Sequence, residues 1–171
     1  MKIQNNIILI GMPGSGKTTV SEALALTTGL NFYDIDFLIE KKIGKKITEI
    51  FSLYGEKYFR DLETETINEF LNLKENFILS TGGGIVEKEE NLSILKKIGK
   101  VFYLEITPEL IFDRIKNDTT RPLLLNDNPK QSLIDLYQKR HIKYEKADFK
   151  IDASKSLNEI MNEIIEKSWK K

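Results

Sequence analysis

The run Gly11-Met12-Pro13-Gly14-Ser15-Gly16-Lys17-Thr18-Thr19 restricts this chain to a narrow set of folds. It follows an apolar stretch, Asn6-Ile7-Ile8-Leu9-Ile10, and opens onto Val20-Ser21-Glu22-Ala23-Leu24-Ala25, which reads as a helix. The spacing is G-x-x-x-x-G-K-[ST], with Gly11 and Gly16 as the fixed glycines. Glycines let the backbone curl until successive N–H groups point inward as an anion nest, and the following helix adds its positive end. Gly14, Ser15, Gly16, Lys17, Thr18 and Thr19 are the expected phosphate contacts. Lys17 would reach the outer phosphates, and the Thr18 hydroxyl would ligate Mg²⁺. The full motif in a strand–loop–helix setting favours a nucleoside triphosphate site over an ordinary glycine-rich turn.

A length of 171 residues suits a single domain, 1–171, with a proper core. Twenty-six basic residues cancel 26 acidic ones, so no strong net field recruits nucleic acid or an anionic membrane. The absence of cysteine excludes disulfides, thiolate zinc sites and cysteine nucleophiles. The apolar start runs straight into the phosphate loop, which suits a buried strand rather than a signal peptide. No later run has the length to span a bilayer. A compact, cytoplasmic chain is the expectation.

Further strands are expected at 31–36, 76–80, 101–104 and 149–151. Between them lie short helices over 37–53 interrupted at Gly44, a longer helix over 56–73, and helices at 89–98 and 131–146. Thr107-Pro108 reads as a cap and first helical residue, and Ser156–Glu159 as a capping box before the last helix. Residues 116–130 are polar, hold two prolines and show no period, so they read as a short lid. Five strands alternating with helices predict an α/β fold, a parallel sheet flanked by helices on both faces.

A phosphate loop alone does not name a reaction. In open α/β sheets ligands bind beyond the carboxyl ends of the strands. Three such ends here carry unusual chemistry: the phosphate loop, Asp34/Asp36, and Gly82-Gly83-Gly84. Two carboxylates at i, i+2 can serve Mg²⁺ and a hydroxyl nucleophile separately, or Asp36 can simply cap a helix starting at Phe37. The three glycines suit close backbone approach to a ligand, or a tight turn. Arg60 has Glu63 at i+3, which on its own reads as a surface ion pair. Arg140 shares a helical face with Leu133, Leu136, Tyr137 and Tyr144, so it either snorkels to solvent or meets an anion. Arg114 and Arg121 flank the lid, where an arginine can close over a triphosphate. His141, the only histidine, has no partner signal and reads as a bystander.

Together these motifs resemble shikimate kinase. The resemblance runs through GMPGSGKT, Asp34-Ile35-Asp36, Phe59-Arg60-x-x-Glu63, Ser80-Thr81-Gly82-Gly83-Gly84, Arg121-Pro122-Leu123-Leu124 and Arg140, covering essentially the whole chain. It implies ATP- and Mg²⁺-dependent phosphorylation of the 3-hydroxyl of shikimate, in aromatic amino-acid biosynthesis. It also implies a nucleoside-monophosphate-kinase-like fold with a lid, acting as a monomer on a small molecule. The family's substrate contacts fall on Asp36, Arg60, Gly82, Gly83 and Arg140, with the arginines gripping the shikimate carboxylate. Asp36 would be the base, Asp34 would help Thr18 hold Mg²⁺, Lys17 and Arg121 would stabilise the phosphoryl group, and Arg114 would lie against adenine. The lid lacks the extra basic residues and the glycine that many members carry before Arg121. The turn after Ile151 lacks the proline expected near adenine, so no adenine contact is assigned there.

The nearest rival, a gluconate kinase, shares the phosphate loop but gives no reason for the Arg60/Arg140 pair. A nucleoside-monophosphate kinase would need a larger lid. A silent nucleotide-binding module would not require Lys17, Asp36 and Arg121 together.

Overall fold

The structure, a computed structural model, describes residues 6–116 and 127–169. Strands β1 (Asn6–Ile10), β2 (Asn31–Asp34), β3 (Phe77–Ser80), β4 (Gly99–Glu105) and β5 (Phe149–Asp152) form one sheet in the order β2-β3-β1-β4-β5. Every pairing is parallel. The helices are α1 (Lys17–Thr28), α2 (Ile35–Ile43), α3 (Ile47–Glu69), α4 (Glu89–Ile98), α5 (Pro108–Ile115), α6 (Pro129–Tyr144) and α7 (Leu157–Trp169).

The central strands read as unbroken apolar runs because helices cover both faces, leaving no side for alternating polar residues. Ile7–Ile10, Phe77–Leu79 and Val101–Leu104 are all fully buried. The register brings the functional strand ends level: Ser80 pairs with Leu9 on one side and with Asp34 on the other. Thr81 extends this level by donating both its N–H and its hydroxyl to the Leu9 carbonyl, at 3.2 and 3.0 Å. The phosphate loop, the Asp34/Asp36 pair and the three glycines therefore lie together at the carboxyl ends of neighbouring strands.

Helix boundaries depart from the sequence expectation where caps decide them. β2 stops at Asp34, and α2 begins at Ile35 because Asp34 caps it, accepting from the Phe37 N–H at 3.1 Å. Asp36 is therefore not the cap. α3 runs from Ile47 but breaks at Gly55, whose φ of 81° and ψ of 169° suit only glycine, so the short helix expected to end near 53 and the longer one expected from 56 meet end to end there. α6 begins at Pro129, two residues early, with Asn128 accepting from the Gln131 N–H at 3.3 Å. The Thr107 cap and the reciprocal Ser156–Glu159 bonds form as the sequence predicts.

Candidate active site

The phosphate loop builds the first wall. Gly16, in the left-handed region at φ 93°, stands at the N-cap of α1 and brings no side-chain cap, so the helix's first N–H groups face the loop's concavity. Lys17 crosses the mouth and donates its ammonium to the carbonyls of Gly11 and Met12, at 2.8 and 2.9 Å. Thr18 and Thr19 are exposed, and Ser15 is buried. A cavity of about 260 Å³ is lined by Gly14, Gly16, Lys17, Thr18, Thr19, Asp34, Asp36, Thr81, Gly82 and Gly83. All three strand ends meet in it.

The two aspartates divide their work as their spacing suggests. Asp34 turns toward Thr18, whose hydroxyl donates to it at 3.3 Å. One hydroxyl and one carboxylate beside a phosphate loop are hard oxygen donors, which suit Mg²⁺ completed by phosphates and water. Among the described residues no larger group of metal-binding side chains exists. Asp36 turns the other way, and its Oδ1 is buried with no hydrogen-bond partner. Burial, reinforced by the Asp34 carboxylate, pushes Asp36 up to about 6, against the pull of Lys17 and Arg60.

The glycines following β3 form a turn, with the Ile85 N–H donating to the Gly82 carbonyl at 3.2 Å, and they also make room for side chains. None of them has positive φ. A Cβ on Gly82 would stand 2.7 Å from Asp36 Oδ1 and 2.9 Å from Glu63 Oε1. One on Gly83 would meet Pro13 Cδ at 2.6 Å, and one on Gly84 would run into the Arg60 guanidinium. The run lets the aspartate, the phosphate loop and the arginine close in from three sides.

Arg60 and Glu63 are not a surface pair. Glu63 is fully buried, and its Oε2 accepts from Arg60 Nη1 at 2.6 Å. Burial pushes Glu63 up to about 7, with Asp36 adding to the lift and Arg60 and Arg140 opposing it. Glu56 takes the other edge of Arg60, at 3.2 and 3.4 Å, and the guanidinium lies over the rings of Phe59 and Phe51. Arg140 meets an anion instead of snorkelling: it is buried, and its Nε donates to Glu87 Oε1 at 2.7 Å. Both guanidinium groups act electrostatically on Glu63, and both on the buried Tyr144 hydroxyl. Lys17 and Arg60 both act on Asp36. Lys17, Arg60 and Arg140 thus lie within electrostatic reach of the corner formed by Asp36 and Glu63.

Arg114 lies on the opposite flank of the loop. Its Nη2 donates to the Ala153 carbonyl at 2.8 Å, beside a cavity of about 380 Å³ lined also by Gly14, Gly16, Thr19, Lys155 and Leu157. The turn after β5 therefore faces the phosphate loop even without a proline. Arg121 and most of the expected 116–130 lid lie outside the described residues. His141 stacks on Tyr137 and faces its carbonyl, away from this chemistry.

Sequence reasoning missed Glu87, the structural role of Tyr144, and the placement of Pro13 beneath Gly83. Tyr144 donates to the Gly83 carbonyl at 2.5 Å and so ties the glycine run to α6. The signal for Glu87 was present: Lys139, Arg140 and Lys143 crowd one side of a helix and call for a counter-charge.

Known proteins agree with this geometry. The shikimate kinase family model matches residues 13–169. A shikimate kinase of Thermodesulfovibrio yellowstonii is 44% identical over 97% of this chain and 95% of its own length. The structure of shikimate kinase from Acinetobacter baumannii in complex with shikimate superposes with a TM-score of 0.87 at 37% identity, covering 97% of this chain and 96% of that one. Shikimate kinase from Aquifex aeolicus gives a TM-score of 0.78 at 35% identity, over 94% of each chain. With a family match over residues 13–169 and a shikimate kinase 44% identical over 97% of its length, this chain belongs to the shikimate kinase family.

Proposed function

We propose that this cleft transfers the γ-phosphoryl group of ATP to the 3-hydroxyl of shikimate, giving shikimate 3-phosphate and ADP on the route to the aromatic amino acids. The observation that carries this reading is the setting of Asp36, which lines one cavity with Lys17 of the phosphate loop and meets, over Gly82, the buried Glu63 that holds Arg60. A base between a phosphate cradle and a carboxylate grip is what a hydroxy-acid kinase requires.

Arg60 and Arg140 hold the shikimate carboxylate through paired, charge-assisted hydrogen bonds. Gly82 and Gly83 leave the ring room to lie over the backbone. Asp36 takes the proton of the attacking hydroxyl as the new O–P bond forms and the β,γ-bridging oxygen departs with ADP. A base pushed up to about 6 is ionised at neutral pH yet basic enough to accept that proton. The backbone of Gly14–Thr19 carries the phosphates, Lys17 and Arg121 offset the charge that develops on them, and Arg114 borders the base. Thr18 and Asp34 would hold Mg²⁺, which would supply positive charge to offset that of the phosphates. Phosphoryl transfer leaves little covalent work to the protein, so alignment and neutralisation set the rate.

On this reading the chain works as one domain, 1–171, a cytoplasmic monomer with no nucleic-acid or membrane partner. The balanced charge favours that, and no described helix is long and apolar enough to cross a membrane. A coupled assay of ADP release with shikimate, gluconate and AMP as acceptors tests the reaction. Turnover with shikimate alone is expected; faster turnover with gluconate or AMP overturns the assignment.

A further inference from the structure

Three cations of α6 converge on one carboxylate. Glu87 ends the short 3-10 turn Ile85–Glu87 that follows the glycine run. Its Oε1 accepts from Arg140 Nε at 2.7 Å and faces Lys139 Nζ at 3.3 Å, and its Oε2 accepts from Lys143 Nζ at 3.1 Å. The side chains of Glu87 and Arg140 are only 12% and 8% exposed, so the pair is largely withdrawn from water and its attraction is weakly screened.

The atom that Glu87 engages matters more than the charge it brings. A guanidinium can grip a carboxylate in its plane along the edge containing Nε or along the edge formed by the two terminal nitrogens. Glu87 holds Nε, which restrains the group and leaves the edge formed by its two terminal nitrogens as the one an anion would meet. Tyr144, anchored to the Gly83 carbonyl, stands within electrostatic reach of the same guanidinium on the same helix.

We propose that Glu87 is a positioning residue for the acceptor's carboxylate, acting through Arg140 and selecting an end-on grip by its terminal nitrogens. The proposal rests on the reading that Arg140 binds that carboxylate. A charge-only role has the opposite sign. If Glu87 merely offset its neighbours, removing it would leave three cations beside the site, and any anionic acceptor would bind more tightly.

Steady-state kinetics of Glu87→Ala, Glu87→Gln and Arg140→Ala separate these cases. Glu87→Ala is expected to raise KM for shikimate roughly 10-fold, with kcat and KM for ATP within about threefold of wild type. Glu87→Gln keeps an acceptor oxygen for Nε, so it should recover most of the loss, leaving KM roughly threefold raised. An unchanged or lowered KM for shikimate in Glu87→Ala, or an equal rise for ATP, overturns the proposal. Should Glu87→Ala not fold, Glu87→Gln decides alone, with a raised shikimate KM supporting the proposal and an unchanged or lowered one overturning it. Arg140→Ala distinguishes the two levels. If it raises shikimate KM while the Glu87 variants do not, only the Glu87 role fails; if it leaves that KM unchanged, the reading of Arg140 fails as well.

Discussion

Asp36 and Glu63 share one buried corner of the cleft. Oδ1 of the first and Oε1 of the second are both buried without a hydrogen-bond partner, and both face the space that a side chain on Gly82 would fill. Burial raises both, to about 6 and about 7, with the Asp34 carboxylate adding to the lift on Asp36 and Asp36 adding to that on Glu63. Only glycine at position 82 allows two such oxygens to approach the substrate side of the sheet together.

The rate should follow this pair in acid. kcat/KM for shikimate is expected to fall as pH drops through the region of about 6 to 7, with apparent values belonging to the coupled carboxyls. Asp36→Asn should lower kcat by about 10²–10⁴ with ATP binding kept. Near-normal turnover in that variant would remove Asp36 from its role.

Stability should move in the opposite direction. The folded-state value of Asp36 lies above its ordinary 3.8, so folding is penalised once the group ionises. The penalty is complete above about 6 and disappears as pH falls below 3.8. The lift from 3.8 to about 6 corresponds to roughly 3 kcal/mol. Thermal unfolding should therefore show Asp36→Asn with a higher Tm than wild type at pH 8, and the gap should close near pH 4. A gap that is constant with pH contradicts the burial of this carboxyl.

Gly84 and Arg60 cannot both keep their places if residue 84 gains a Cβ. Gly84→Ala should thus imitate Arg60→Ala, which is expected to cost about 1.5–3 kcal/mol of shikimate binding. In both variants KM for shikimate rises while that for ATP stays put. A selective rise for ATP would place Arg60 on the nucleotide side.

Tyr144→Phe leaves the Gly83 carbonyl without its donor. Urea unfolding should show a loss of about 1–2 kcal/mol with an unchanged m value. No loss would mean that this bond does not tie the glycine run to α6.

Much of this architecture was legible in the sequence because its signals are local. The phosphate loop fixed the first strand and helix, and the apolar runs at Phe77–Leu79 and Val101–Leu104 could belong only to covered strands. Asp34 and Asp36 were harder, since Asp-Ile-Asp offers two caps for one helix and nothing local says which one faces Thr18. Arg60 and Glu63 at i, i+3 revealed a pair but not its burial, which depends on Gly82 and Gly84 after a distant strand. The cationic face at Lys139, Arg140 and Lys143 called for a counter-charge but could not name Glu87, which lies 53 residues from the arginine it holds. Long-range counter-charges and the space around glycines are properties of the packed chain, not of a window along it.

Calorimetric titration of shikimate against its methyl ester, on wild type and on the Arg60→Ala/Arg140→Ala double variant, probes the carboxylate grip itself. Wild type should prefer the acid by roughly 10- to 100-fold or more, and the double variant should lose that preference. Equal affinity of wild type for acid and ester would mean that the two arginines do not hold the acceptor's carboxylate.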